Sequence, residues 1–238
     1  MIFQCYFKED QTLFEEEPYK PFGVEPEVND FLFSNCPELE SSFNRLQLTE
    51  YSSYLWHWRN KSDLKWIGST SYRQLDKFKH KFKSISEIES LLGKHEIIAW
   101  GQYDLQNKLG MPISLKTQAK VCHPGLNEFM EMMFSKFNLE FPKKWSEKTS
   151  GFFANYWAMS KSLFDDFMEF SWPMVEWSLS NIKDTDYYKT QNTYGTVGPE
   201  KCVGYFMERL FIVWYLNRGL EPFNPSKPQP LFHNTLEI

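Results

Sequence analysis

A chain of 238 residues with 42% hydrophobic and 24% charged residues has enough apolar surface for a globular domain and is not a disordered segment. Its formal net charge of −5, with both signs interspersed, argues against a nucleic-acid partner, which a basic patch or stripe would announce. Cys5, Cys36, Cys122 and Cys202 lack CxxC spacing, no apolar run nears the ~20 residues of a membrane span, and the charged first ten residues are no secretory signal, so the expected location is the cytoplasm.

Met1 to Phe7 is apolar and β-leaning, and it ends at Lys8-Glu9-Asp10 as a strand entering a polar loop. Residues 11–40, rich in Pro and Glu without a clear period, read as loop with short strands. In "EYSSYLWHWRN", Tyr51, Tyr54, Leu55 and Trp58 fall at i, i+3, i+4 and i+7 and predict a helix. The next stretch, "DLKWIGSTSYRQ" (Asp63 to Gln74), is an apolar strand that runs into hydroxyls, a phenol and a guanidinium. A helix feeding a strand is the unit of an α/β fold. "KFKHKFK" (Lys77 to Lys83) sets four lysines and His80 around Phe78 and Phe82. It reads as a solvated face, with an anionic membrane surface or phosphates as the alternative partner.

A helix over Ser86–Leu92 precedes a strand over His95–Gly101. "LNEFMEMMFSKF" places Leu126, Phe129, Met130, Met133, Phe134 and Phe137 on one helical face, a packing stripe. "GFFANYWAMS" reads as one strand, followed by a helix capped by Ser160 or Ser162 that Pro173 should kink or interrupt. Residues 184–199 read as a polar loop. A helix from Glu200 to Asn217 follows, with Gly219 just past its end, and residues 221–238 form a Pro-rich tail expected to wrap the surface.

Two features are candidates for chemistry. Glu208 and Arg209 sit mid-helix among apolar residues on nearly every face, where charges are costly unless paired or used. Adjacent helical residues diverge, so each is expected to have its own partner: two structural ion pairs, or two groups aimed into a cleft. Asp184-Thr185-Asp186 is a D-x-D pair that follows a helical pattern instead of an apolar strand, and it reads as chance. No GxGxxG, Walker A, GxSxG or HExxH motif occurs, and the five histidines are widely spaced.

Four segments, in order, resemble a family of domains of unknown function encoded among capsule and exopolysaccharide genes and regarded as glycosyltransferase-like. "LTEYSSYLWHWRN" (Leu48 to Asn60) with "KWIGSTSYRQLDKF" (Lys65 to Phe78) is similar to the family's helix and "HYRR" strand. "NYWAMSKSLFDDFMEFSW" (Asn155 to Trp172) and "ERLFIVWYL" (Glu208 to Leu216) are similar to its later motifs, and "YKPFGVEP" (Tyr19 to Pro26) to its start. The resemblance implies a GT-A-like fold, an α/β/α sandwich over residues 1–220, and transfer of a sugar from a nucleotide-sugar donor to a glycan or lipid-linked oligosaccharide acceptor.

In such folds the strand ending in D-x-D carries the donor. The resemblance therefore points to Ser71, Tyr72 and Arg73, with Lys8 and Arg209, as donor-phosphate residues, since guanidinium and hydroxyl groups suit a diphosphate. It leaves Mg²⁺ or Mn²⁺ open as a cofactor. Glu208 or Asp104 would take the acceptor proton, and Trp66, Trp100 or Trp157 would stack on the acceptor. The chain departs from the pattern where the family's histidine before Tyr-Arg is Ser71, its second arginine is Gln74, and Phe7-Lys8 replaces His-Lys. A catalytically degenerate glycan-binding or scaffold protein of the same fold is the alternative.

Overall fold

The apolar opening segment forms β1 (Ile2–Tyr6). The computed structural model describes all residues except 9, 15, 26–34, 61–62, 79, 195–198 and 234–238. In it β1 pairs parallel with β2 (Tyr19–Gly23) on one side and with β3 (Trp66–Ser71) on the other. β7 (Trp157–Ser160) runs antiparallel to β3 and to β4 (Ile97–Ala99), completing the order β2-β1-β3-β7-β4. A second sheet has the order β6 (Ser150–Phe152), β5 (Gln102–Asn107), β8 (Gln229–His233).

Alternation along the first sheet divides the core into two layers, because successive side chains of a strand face opposite ways. Phe3, Cys5, Ile67, Ile97, Ala99, Trp157 and Met159 pack on one face with α2 (Tyr51–Arg59), α7 (Lys161–Asn181) and α9 (Cys202–Asn217). Ile2, Trp66, Ile98 and Ala158 face the other way, against Phe78, Phe82 and Ile88 of α4 (Ile85–Leu92). α7 and α9 are clamped at their far ends by Asp166, which accepts from Trp214 Nε1 at 2.8 Å and from Arg218 Nη2 at 2.6 Å. Among the described residues no helix is long and apolar enough to cross a membrane.

Several expectations are corrected. "GFFANYWAMS" is two strands in two sheets, divided where Asn155 takes a left-handed φ of 54°. Gly101, at φ 89°, makes the matching break between β4 and β5, and a Cβ there would lie 2.6 Å from the Phe78 ring. Pro173 does not interrupt α7, since burial of Met174 and Val175 beside it outweighs one lost ladder bond. The expected polar loop contains α8 (Asp186–Tyr194), whose buried seam among the described residues is Tyr187 and Gln191, too narrow to show in composition; Gly195 and Gly198 lie outside the described residues. The tail does not merely wrap the surface: β8 pairs with β5, and Phe223 N donates to Ile97 O at 2.9 Å. Phe78 and Phe82 of the lysine-rich stretch are core residues, and Lys81 reaches Glu16 at 3.4 Å.

His57 of α2 is buried with neither ring nitrogen hydrogen-bonded, its imidazole 3.7 Å from the Phe3 ring centroid. Burial, then the charges of Lys20, the N-terminal amine and Lys161, lowers its pKa to about 3. The folded state therefore refuses a proton that the unfolded state binds below about pH 6.5, and this stability is lost as pH falls through that window. At pH 5 the penalty is about 2 kcal/mol. His57→Leu is expected to flatten the acid limb of urea-midpoint against pH; an unchanged limb would show that another group sets it.

Candidate functional site

The polar end of β3 is spent inside the protein. Ser69, Thr70 and Ser71 are all buried. Tyr54 OH donates to Ser69 Oγ at 2.8 Å, Thr70 Oγ1 donates to Gln74 Oε1 at 2.5 Å, and Ser71 Oγ shares a 2.7 Å hydrogen bond with Tyr156 OH. Gln74 opens α3 (Gln74–Lys77) and also donates through Nε2 to His80 O and Tyr19 OH, bracketing the following loop to the sheet. Ser71 is therefore corrected from phosphate ligand to structural residue. The next two residues, half-buried Tyr72 and exposed Arg73, are the first that reach the surface.

Strand order reverses between β1 and β3, so their carboxyl ends form the crevice where open α/β sheets bind ligands. A cavity of about 570 Å³ lies there. It is lined by Phe7 and Lys8 after β1, Tyr72 after β3, Thr49 between α1 (Ser42–Leu48) and α2, and Lys201 at the N-cap of α9. The Phe7 and Tyr72 rings meet edge to face at 6.3 Å, and Gln11 Oε1 accepts from the backbone N–H groups of Phe7 and Lys8. Neither Lys8 nor Lys201 has a carboxylate within 4.0 Å among the described residues.

Gly204 packs beside Thr49, and one turn further along the same helical face is Glu208. From Lys201 to Glu208 is seven residues, about 10 Å of helix. The Glu208 side chain keeps a quarter of its surface exposed, yet desolvation raises its pKa to about 7 against the opposing pull of Arg209 and Lys77. Around it stand Tyr103, whose hydroxyl senses Glu208 and Arg73 after its own desolvation, and Lys77, whose Nζ lies 6.0 Å from the Tyr156 ring centroid.

Arg209 is corrected from donor ligand to buttress. It is 1% exposed, with Nη1 on Glu208 Oε2 at 2.6 Å, Nη2 on Gln118 Oε1 at 2.9 Å and its guanidinium 4.6 Å from the Phe153 ring centroid. The two helix neighbours pair with each other after all, because the long arginine chain folds back. Asp104 is exposed on β5 and follows Tyr103, which faces Phe78, so alternation turns its carboxylate away from the cleft. Trp66, Trp100 and Trp157 are buried in the two core layers, out of reach of an acceptor sugar. Asp184 and Asp186 line a separate cavity of about 790 Å³ between helices, to which none of the strands contributes. Sequence reasoning did not single out Tyr103, Tyr156 or Lys201, and it read Lys77 only as part of the lysine-rich stretch; the approach of separate elements is what brings these residues near the cleft and Glu208.

The model of the domain of unknown function DUF4422 matches residues 3–219. The chain belongs to the DUF4422 family. No curated protein matches it. Among solved structures it is similar to WbbM, a bifunctional glycosyltransferase in its apo state, with a TM-score of 0.57 and 14% identity. That match covers 98% of this chain and 45% of the WbbM chain, so this chain spans about half the length of its structural neighbour. The sandwich described above is the GT-A-like fold.

Replacing Arg209 by Met is expected to cost about 3 kcal/mol in urea unfolding, because it breaks a buried pair and strands Glu208. It should also move the Glu208 carboxyl further up, read by carbonyl-carbon NMR titration; a fall in that pKa would show that Arg209 does not act on Glu208.

Proposed function

We propose that this member of the DUF4422 family is a glycosyltransferase that moves a sugar from a nucleotide-sugar donor to a glycan or polysaccharide acceptor. The observation that carries it is the cavity at the switch point of a GT-A-like sheet, with Lys8 and Lys201 in its wall and Glu208 two turns along α9. The donor's diphosphate lies against Lys8, Tyr72 and Lys201, with Arg73 at the edge facing the reacting centre. The acceptor enters over Tyr103 and Lys77. Its hydroxyl oxygen bonds to the anomeric carbon as the bond from that carbon to the diphosphate oxygen breaks. The electron pair leaves with the nucleoside diphosphate, and the acceptor proton passes to Glu208. A carboxyl whose pKa is about 7 is suited to that transfer at neutral pH.

The family resemblance supports an acceptor of the capsular or exopolysaccharide class, handled on the cytoplasmic side of a membrane, with Lys77–Lys83 as the face nearest a lipid-linked acceptor. Turnover of UDP-, GDP- and dTDP-sugars, measured as release of nucleoside diphosphate with and without oligosaccharide acceptors, tests the reading. Glu208→Gln is expected to lower kcat by about 100-fold or more and to remove an acid limb centred near pH 7 from the wild-type profile. Saturable glycan binding with no turnover of any donor would instead assign a binding protein of the same fold.

A further inference from the structure

We infer that the donor's diphosphate is neutralised by a clamp of two lysines, Lys8 and Lys201, in place of a divalent cation. This rests on the donor reading above. In a GT-A-like fold the ion is held by carboxylates at the end of the strand that β3 occupies. That position here is Ser69-Thr70-Ser71, and each hydroxyl is already bonded to Tyr54, Gln74 or Tyr156. The residues present do not fit an ion there: hard divalent cations need carboxylate or carbonyl oxygens free to turn toward them. The cavity's own acids do not replace them. Glu25 is held by Arg45 Nε at 2.8 Å, which leaves Asp10 as the remaining acid of the lining among the described residues. Among the described residues no group of three His, Cys, Asp or Glu side chains forms a metal site.

The positive charge is supplied from two other places. Lys8 lies two residues past the end of β1, beside β3, which has no carboxylate along its length. Lys201 is the N-cap of α9, a helix of 16 residues whose positive dipole end adds to its ammonium. The two lysines reach one cavity from opposite ends of the sequence, and both are exposed. A lysine is a point charge with three rotatable donors and needs no fixed approach angle to a phosphate. Two of them match the charge that develops on a departing diphosphate, the task a bound ion performs elsewhere.

Isothermal titration of the full chain with UDP, GDP, dTDP and inorganic pyrophosphate, in excess EDTA and again with Mn²⁺, tests the clamp. At least one nucleoside diphosphate is expected to bind equally in both media, with pyrophosphate as a weaker competitor. Lys8→Ala and Lys201→Ala should each weaken binding by about tenfold or more, Lys201→Arg should restore most of it, and Lys94→Ala, at an exposed lysine outside the cavity, should change nothing. Circular dichroism confirms that each variant is folded. Binding that needs Mn²⁺ and vanishes in EDTA overturns the clamp and leaves the donor reading standing. Binding that ignores both lysine substitutions also overturns it. If no nucleoside diphosphate or nucleotide sugar binds in either medium, the donor reading itself fails.

Discussion

The open edge of the sheet depends on how three buried hydroxyls at the end of β3 are satisfied. A central strand that finishes in Ser-Thr-Ser would leave costly unpaired groups in the core, since an orphaned buried hydroxyl costs ~1–3 kcal/mol. Tyr54 arrives from α2, Tyr156 from the start of β7 and Gln74 from the turn after β3, so each hydroxyl recruits a different element. The same bonds fix the spacing between the helix layer, the antiparallel strand and the lysine-rich loop. Tyr72 and Arg73 emerge at a defined place because the residues just before them are immobilised on three sides.

Glu208 and Arg209 show how one charged pair serves packing and chemistry together. Burial alone drives a carboxyl toward its neutral form, and a nearby guanidinium drives it back. Here desolvation wins, because Arg209 divides its donors between Glu208 and Gln118, while Glu50 adds a second negative charge. The outcome is a carboxyl poised near neutrality, not the low value of a simple ion pair. Arg209 is held in turn by the face of Phe153, next to the strand break at Asn155 that splits the two sheets. The position of the carboxylate is thus tied to the same chain reversal that creates the cleft.

Periodicity made strands of the first sheet and several helices legible: β1, β3, β4, α2, α6 (Leu126–Lys136) and α9 stand where apolar spacing placed them. What it could not show was which groups meet. Trp66, Trp100 and Trp157 looked available because indoles serve both cores and sugars, and only sheet alternation reveals that all three face inward. Ser71 looked like a ligand because a hydroxyl carries no mark of being already bonded. Lys201 carried no local signal, since its importance comes from a helix N-terminus meeting a strand end nearly two hundred residues earlier. The pairing of the tail with β5 was equally invisible, because the partner of a short edge strand is set by tertiary packing and not by its own sequence.

Gln74 and Ser71 have a common physical sense in this geometry. Gln74 is uncharged and can donate and accept at once, which lets it bond Thr70, Tyr19 and His80 in one bracket. An arginine has no acceptor, so it could not receive the Thr70 proton, and Thr70 would need another partner. Serine at position 71 is small enough to sit under the Tyr156 hydroxyl, where an imidazole would displace that ring or expose itself to the cleft. The two side chains act in one direction: both spend their polar capacity on the inner side of the strand end. Under the proposed donor reading, the charge that meets a diphosphate then comes from outside the strand, and the lysines after β1 and before α9 are the ones the cavity walls supply.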